Sequence, residues 1–275
     1  MGTAQLHRCD VLAAPWPGIH LTSTESARHF GRHWHTTYGL GLLEAGAHKS
    51  ASGRGPVEAF AGDLVTTNPG EVHDGRPLGV DSRRWHTVYA EPDALQALLG
   101  RTEGPGEISQ PVIQDPALAR VLLQALRRLR AWPQAQADAA ARLACEESLV
   151  HAFGLAFARY GARRAEAPAQ PALTRVHARL CDAPLHVPSL AELAQLAGLS
   201  KFQLLRRFRA VYGMTPFAWL QHQRAERARA WIAAGMDLAR AAAAAGFADQ
   251  SHMTRVFLRQ FGFTPGTWRK ATRPQ

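Results

Sequence analysis

The sequence predicts an α+β protein: an N-terminal β-barrel of jelly-roll type with added helices, then an all-α domain of two helix-turn-helix units joined by a long helix. Three observations predict its division into two domains. A chain of 275 residues suits two hydrophobic cores. The hydrophobic pattern changes from short strand-like runs to helical spacing near Asp115. Residues 161–170 hold no large apolar side chain, which is typical of a linker. We therefore place the domains at residues 1–165 and 171–275.

Short β-rich runs indicate the barrel. Residues 39–43, 62–67 and 85–89 are rich in leucine, β-branched or aromatic side chains, and Gly, Pro and Asn separate such runs. Brief strands with frequent turns are typical of sandwiches and jelly-roll barrels. The first 110 residues are therefore predicted to form one.

Two helices are predicted to follow the barrel. The first begins near Asp115 and has an apolar stripe that includes Leu122 and Leu126, and the second covers about residues 136–160. These stripes exceed what a small barrel needs to cover itself. We therefore expect residues 115–160 to close the barrel or to mediate a homodimer.

The positive charge is confined to the C-terminal domain. Residues 171–275 hold 15 Lys and Arg against 5 Asp and Glu, whereas residues 1–170 hold 17 of each. A basic domain beside a neutral one indicates a polyanionic partner, because neutralising phosphates releases counterions. Charge alone leaves DNA, RNA and anionic membranes open.

Composition also bears on the compartment. The sequence has no apolar run of the roughly 20 residues that a membrane span needs, and its first residues lack the features of a secretory signal. Three separated cysteines, Cys9, Cys145 and Cys181, fit a reducing compartment and offer neither a disulfide framework nor a zinc knuckle. We expect a cytoplasmic protein with no membrane partner.

An internal repeat lies in the C-terminal domain. Residues 190–198 align with residues 238–246, and both segments end in glycine. After one inserted residue the matches continue: Arg206 with Arg255, Phe208 with Phe257, Gly213 with Gly262, Thr215-Pro216 with Thr264-Pro265, and Trp219 with Trp268. A repeated unit of helix, glycine turn and helix predicts two helix-turn-helix modules. A helix over about residues 216–234 would join them, so that one chain could enter successive major grooves roughly 34 Å apart.

Helical spacing divides the second helix of each module into two faces. The predicted inner positions are Leu204, Phe208, Val211, Met253 and Phe257. The positions left outside are Phe202, Arg206, Arg209, Ser251 and Arg255, with Gln250 and His252 in an exposed first turn. Arginine can grip guanine and glutamine can grip adenine through two hydrogen bonds. One outward polar residue is usually only solvated, but the repeat, the glycine turns and the charge together favour DNA.

The C-terminal residues resemble the AraC/XylS family of transcription regulators. The segment 246–269 is similar to the signature of that family, and the resemblance covers about residues 171–272. The resemblance implies base reading by Phe202, Leu205 and Arg206 in the first module and by residues 250–252 and Arg255 in the second. The candidate DNA-binding residues are Lys201, Phe202, Leu205, Arg206, Arg209, Gln250, Ser251, His252 and Arg255.

The N-terminal half is similar, more loosely, to the cupin-like effector domain of such regulators. Residues 33–35 (His-Trp-His) and 62–73 resemble the two cupin motifs. The resemblance implies an effector pocket lined by His33, His35 and His73. Tyr38 and Glu71 are near these motifs in sequence and are further candidates for binding the effector. Gly39 and Leu40 stand where metal-binding cupins carry a glutamate, so we expect no metal and no cofactor. Three histidines could still hold a metal without it, or could be structural.

The leading hypothesis is a sequence-specific DNA-binding transcription regulator, activator or repressor, controlled by a small-molecule effector in the barrel. Its expected partners are double-stranded DNA, the effector, a second copy of the chain and, as a further candidate, RNA polymerase. The sequence shows no arrangement of catalytic residues that we recognise, so we expect no enzyme. The alternatives are a metal-dependent cupin enzyme or metal sensor fused to a DNA-binding module, and an architectural DNA-binding protein without an effector.

Overall fold

The structure, a computed structural model, describes residues 6–52, 54–79, 82–101, 104, 106–135, 138–163, 170–182 and 187–272. It divides into two compact units. The first comprises the described residues through Gly31 and from His35 to Arg163, and the second comprises Arg32–Trp34 and the described residues from Gln170 onward. No helix in these ranges is both long enough and apolar enough to cross a membrane.

The first unit contains mainly antiparallel strands. They are β1 (His7–Ala13), β2 (Ile19–Ser26), β3 (Phe30–His33), β4 (Tyr38–Ala45), β5 (Ala47–Ser52), β6 (Gly55–Phe60), β7 (Leu64–Thr67), β8 (His73–Pro77), β9 (Arg83–Ala90), β10 (Glu107–Ile108), β11 (Val112–Ile113) and β12 (Gly161–Ala162). One sheet has the order β1-β2-β9-β4-β7-β11 and another the order β3-β8-β5-β6, while β10 pairs with β12. The predicted barrel-type domain is confirmed. The expected linker begins with β12, and residues 164–169 of it lie outside the described residues.

Three helices and one 3-10 turn complete the first unit. They are α1 (Pro92–Leu98), α2 (Pro116–Ala131), the turn Trp132–Gln134 and α3 (Ala139–Tyr160). Asp115 caps α2 by accepting hydrogen bonds from the backbone N–H groups of Ala117 and Leu118. Its second carboxylate oxygen accepts from Arg159 and Tyr160 at the end of α3. One side chain thus begins α2 and ties it to α3.

Both long helices pack on one face of the six-stranded sheet. Side chains alternate along a strand, so Val88 and Ala90 of β9 share a face with Leu21 and Ile19, their partners on β2. At these four residues the face is apolar and buried against the helices, whereas Arg84 and Glu25, further along the same face, are solvent-accessible. The core that results also contains Leu40, Leu64, Leu118, Leu122, Leu126, Leu149 and Phe153.

The structure corrects the expected use of the α2 stripe. Leu122 and Leu126 are completely buried inside the first unit, so the apolar stripe of α2 covers the sheet and is not available to a second subunit. The outer side of α3 differs, because Leu143 and Val150 are exposed there.

The second unit is helical. Its helices are α4 (Pro171–Asp182), α5 (Leu190–Ala197), α6 (Lys201–Tyr212), α7 (Pro216–Ala233), α8 (Leu238–Ala244), α9 (Gln250–Phe261) and α10 (Pro265–Thr272). The pairs α5/α6 and α8/α9 are the two helix-turn-helix modules, and α7 is the long helix between them. Gly198 and Gly246 turn the chain between the paired helices with φ of 64° and 80°, a conformation that glycine adopts without steric cost.

Capping fixes where the second helix of each module begins. Ser200 and Gln203 form a reciprocal capping box at α6, and the Asp249 carboxylate accepts from the His252 backbone at α9. The inner residues Leu204 and Phe208 are buried as predicted. Val211 is not, since 40% of its surface is exposed, because α6 ends one residue later and leaves the core there.

We predict that Leu122→Ala lowers the free energy of unfolding by about 2–5 kcal/mol, because it opens a cavity in a fully buried core. The control is Leu78→Ala, at an exposed position of the same unit, which should change stability by no more than about 0.5 kcal/mol. Urea denaturation of the full chain measures both. Equal effects of the two substitutions would contradict the assignment of the α2 stripe to the core.

Candidate functional site

The second face of the six-stranded sheet is polar. Tyr89, Thr87 and Arg83 lie on this face of β9, and the strand register sets them opposite His20, Thr22 and Ser26 of β2. The buried polar residues on this inner face are His20, Thr22, Thr24, Ser26, Arg83 and Thr87. Burying polar groups is costly unless partners satisfy them. An inner face of this composition is therefore suited to binding and is a poor purely structural core.

A run of aromatic rings links the two sheets. His20 stacks on Tyr89 with ring centroids 5.2 Å apart, and Tyr89 meets the edge of His35 at 5.5 Å. His35 in turn lies 5.4 Å from His73 of β8. The Nδ1 of His73 donates to the Glu71 carbonyl at 2.9 Å. Burial lowers the pKa of His73 and raises that of Tyr89, so both are neutral near pH 7.

Arg83 reaches across the space between the sheets. It belongs to β9, yet one of its terminal nitrogens lies 3.6 Å from the place that a Cβ on Gly75 of β8 would occupy. His48 of β5 lies near the same position, with its Cε1 at 2.8 Å. Any larger residue than glycine at 75 would therefore collide with His48. Burial, together with the charge of Arg83, lowers the pKa of His48 to about 3.

Three of the five predicted pocket residues lie together. His33, His35 and His73 each offer one ring nitrogen, and these nitrogens lie within 4.8 Å of one another. His33 and His35 are buried and His73 is half-buried. Tyr38 lies on the opposite, helix-covered face, where its ring meets Phe157 and its hydroxyl donates to the Gly106 carbonyl. The structure thus separates Tyr38 from the histidines. Side chains alternate along β4, so Gly39 is on the inner face and Tyr38 is on the opposite one.

Glu71 has structural partners. Its carboxylate accepts a hydrogen bond from the Asn68 side chain at 2.9 Å and lies 3.6 Å from Arg54. At Gly39, where metal-binding cupins carry a glutamate, a Cβ would lie 2.4 Å from the Thr67 hydroxyl. Leu40 is buried on the helix-covered face. Neither position therefore supplies the carboxylate of a cupin metal set.

Sequence reasoning missed several inner-face residues. They are His20, His48, Thr67, Arg83, Thr87 and Tyr89. The polar and apolar alternation of residues 19–24 and 85–90 was a signal for those on β2 and β9. No local pattern identifies Arg83 or His48, because their proximity depends on how the two sheets pack.

The candidate DNA interface is open to solvent. The exposed candidates are Lys201, Phe202, Arg206, Arg209, Gln250, Ser251 and Arg255, and Leu205 and His252 are half-buried. Phe202 has 74% of its surface exposed, which is unusual for a large aromatic ring unless it has a partner. Arg259, one turn after Arg255, is exposed on the same face of α9 and was missed. A groove of about 480 Å³ between α7 and α9 is lined by Phe217, His252, Arg255 and Arg259, among others.

Comparison with known proteins gives two family matches. Residues 18–153 match the family described as AraC-like ligand binding domain, and residues 193–271 match the family described as helix-turn-helix domain. The first match covers the unit with the polar inner face. The second covers both modules from α5 onward.

Individual proteins agree with these matches. The uncharacterized HTH-type transcriptional regulator YbfI of Bacillus subtilis (strain 168) is 27% identical over 228 residues, which are 82% of this chain and 81% of that protein. The transcriptional activator NphR of Rhodococcus sp is 38% identical over 101 residues, 36% of this chain and only 30% of that protein. An apo ToxT variant from Vibrio cholerae strain SCE256 has a TM-score of 0.53 at 12% identity and covers 99% of both chains, which shows a shared fold. None of these matches indicates an enzymatic family.

Proposed function

The chain belongs to the AraC family of transcription regulators, with an N-terminal ligand-binding domain and a helix-turn-helix DNA-binding domain, and from this we propose that its effector binds on the polar inner face of the six-stranded sheet. The observation that carries the proposal is the contrast between the two faces of that sheet. One has an apolar region that α2 and α3 cover, and the other holds buried histidines, threonines and an arginine. Convergent polar groups on a protected concave surface are the usual setting for a small polar ligand.

The effector would act by differential affinity. A ligand shifts a conformational equilibrium only as far as it binds one state better than the other. An effector bound at His35 and His73 therefore regulates the protein if it favours one of two states that differ in DNA affinity, with a coupling free energy of about 1–3 kcal/mol. Activation and repression both follow from this scheme.

We further propose that the exposed residues of α6 and α9 read DNA. Both helices begin at a side-chain cap and have a buried inner side, so their outer residues are held at fixed positions. Arg206 and Arg255 occupy equivalent places in the two modules and are both exposed. Each is suited to a two-point contact with guanine. Recruitment of RNA polymerase and a cytoplasmic location stay predictions.

A homodimer through the outer side of α3 is part of the proposal. Leu143 and Val150 are seven residues apart, so they lie on the same side of the helix two turns from each other. Their exposed fractions are 56% and 36%. Gly154, one turn further on, leaves room for the close approach of a second helix. This surface replaces the α2 stripe as the expected interface.

The effector site is tested by a thermal-shift screen of the full chain against small polar compounds. A ligand at 100 times its Kd adds about 2.7 kcal/mol to stability. We expect at least one compound to raise the melting temperature, His73→Ala to remove the shift, and His151→Ala, at an exposed position on α3, to retain it. Should His73→Ala fail to fold, His35→Gln tests the same site. A retained shift in the folded variants would refute the location.

Elemental mass spectrometry of the same preparation, purified without chelator, tests the metal alternative. About one zinc, iron, manganese or nickel ion per chain would favour a metal-sensing role over an organic effector. We expect substoichiometric metal, because Gly39 and Leu40 supply no carboxylate.

For DNA reading, we predict that Arg255→Ala weakens binding to a specific site by about 1–3 kcal/mol and relaxes the preference at one base pair. The specific site is obtained by selection from random duplexes, and affinity is measured by fluorescence anisotropy at fixed salt. Arg8→Ala removes another exposed charge, from the first unit, and should have no comparable effect. If Arg255→Ala weakens random DNA just as much, the side chain contacts phosphate and reads no base.

For the dimer, we predict that the double substitution Leu143→Glu with Val150→Glu yields a folded monomer at micromolar concentration, since it places two charges in the proposed interface. Arg120→Glu, at an exposed position of α2, is the control and should leave the dimer intact. Sedimentation velocity measures the mass. A wild-type protein that is monomeric under these conditions would disprove the interface.

A further inference from the structure

The most unusual charge in the first unit is that of Arg83. Only 1% of its surface is exposed, and it is the largest of the fully buried side chains in the described part of the chain. Its strand position sets it on the polar inner face, and its terminal nitrogens reach towards Gly75 of the other sheet. Arginine is almost never fully buried unless a partner compensates its charge.

Protein groups satisfy this guanidinium only in part. One terminal nitrogen donates to the Arg28 carbonyl at 3.1 Å, and the buried Nε–H has no acceptor. The cationic carbon lies 4.8 Å from the centre of the Trp85 ring and 5.7 Å from that of Phe30, which offsets part of the desolvation. Among the described residues, no carboxylate lies within ion-pair distance of Arg83.

The acidic residues near this site bind other groups. Asp74, next to Gly75 in β8, accepts a hydrogen bond from the Ala51 backbone at 2.8 Å. Glu71 contacts Asn68 and Arg54. Burial lowers the pKa of Arg83 to about 10, so it remains charged at pH 7, and His48 beside it is neutral. Neither carboxylate pairs with Arg83, so its charge has no counter-ion within ion-pair distance among the described residues.

We propose, on the basis of the effector site proposed above, that the effector is an organic oxyanion, a carboxylate in the first place, and that its charge pairs with Arg83. The guanidinium fork suits a carboxylate because two parallel N–H groups can bind its two oxygens, and such charge-assisted bonds are the strongest type of hydrogen bond. The Thr67 hydroxyl is buried without a partner, and it lies on the same face, where its strand pairs with Gly39. It offers a further donor to the anion or its substituents.

The alternative is that Arg83 only supports the fold, through its contacts with the rings of Trp85 and Phe30. The two roles differ in what a neutral substitute does. Replacing a buried charge that lacks a partner by an apolar group of similar length is often neutral or stabilising. Arg83→Met should therefore leave the melting temperature of the unliganded protein unchanged or raise it. If Arg83 stabilises the fold, the same substitution would lower it.

The test is a thermal-shift titration of the full chain with acetate, hexanoate, benzoate and inorganic phosphate, with acetamide, hexanamide and benzamide as uncharged matches. We expect a carboxylate to stabilise the wild type and its amide to have no effect. Arg83→Met should weaken the binding of that carboxylate on the order of tenfold or more. Arg83→Lys, which keeps the charge but lacks the two parallel N–H donors, should weaken its binding by less. Arg84→Met removes the neighbouring, exposed arginine on the opposite face and should retain the full response.

The outcomes separate this inference from the effector site itself. Two results would overturn the proposal that the effector is an anion while leaving the effector site in place. One is stabilisation by the amides as strong as by the acids, and the other is an unchanged response to the carboxylate in Arg83→Met. A melting temperature that falls sharply in Arg83→Met without loss of the response makes Arg83 structural. If phosphate stabilises the protein and no carboxylate does, the effector is a phosphate-bearing compound and not a carboxylic acid. Failure of every compound to stabilise the wild type counts against the oxyanion.

Discussion

The alternation of side chains along the strands of the six-stranded sheet is the constraint on which the first unit depends. Because neighbouring residues face opposite sides, one strand can present Val88 to the helices and Thr87 to the other sheet. The helix-covered side supplies the apolar burial that stabilises the unit. The inner side is thereby free to carry histidines, hydroxyls and a cation that would weaken any core required to hold the unit together by itself. Stability and binding are divided between the two faces of one sheet.

Helical periodicity makes the same division in the second unit. In α9, Met253 and Phe257 are buried, while Ser251 and Arg255 are exposed. Inside this unit Glu226 and Arg229 form a buried ion pair at 2.9 Å, and the Arg229 carbonyl accepts the indole N–H of Trp268. A buried pair of this kind gives little net stability, but it requires one geometry. The pair lies within α7, and it is the hydrogen bond from Trp268 to the Arg229 carbonyl that joins α10 to α7.

Local patterns in the sequence predicted most of the elements, because turns, caps and periodicity act over a few residues. The domain fold, both modules, the caps at Ser200 and Asp249 and the long helix were all foreseeable. The errors concern contacts between distant segments. The α2 stripe was left open between covering the barrel and mediating a dimer, because the sequence does not show how much sheet the helix must cover. Tyr38 was grouped with the histidines by proximity in sequence alone. Arg83 was missed because a buried cation has no local signature.

The buried charge of Arg83 makes the inner face costly in free energy, and this cost bears on how an effector can regulate the protein. A charge that the protein compensates only partly raises the free energy of the unliganded state, and an anion that pairs with it recovers this free energy on binding. Affinity at Arg83 is therefore not in itself regulation, since a ligand that binds two states equally shifts neither. Control of DNA binding requires that the surroundings of Arg83, which include Gly75 and His48, differ between the two states. In that tightly packed place a larger residue than glycine already collides, so small shifts of β8 relative to β9 would change the fit of the anion, and the anion would in turn favour one arrangement of the two strands.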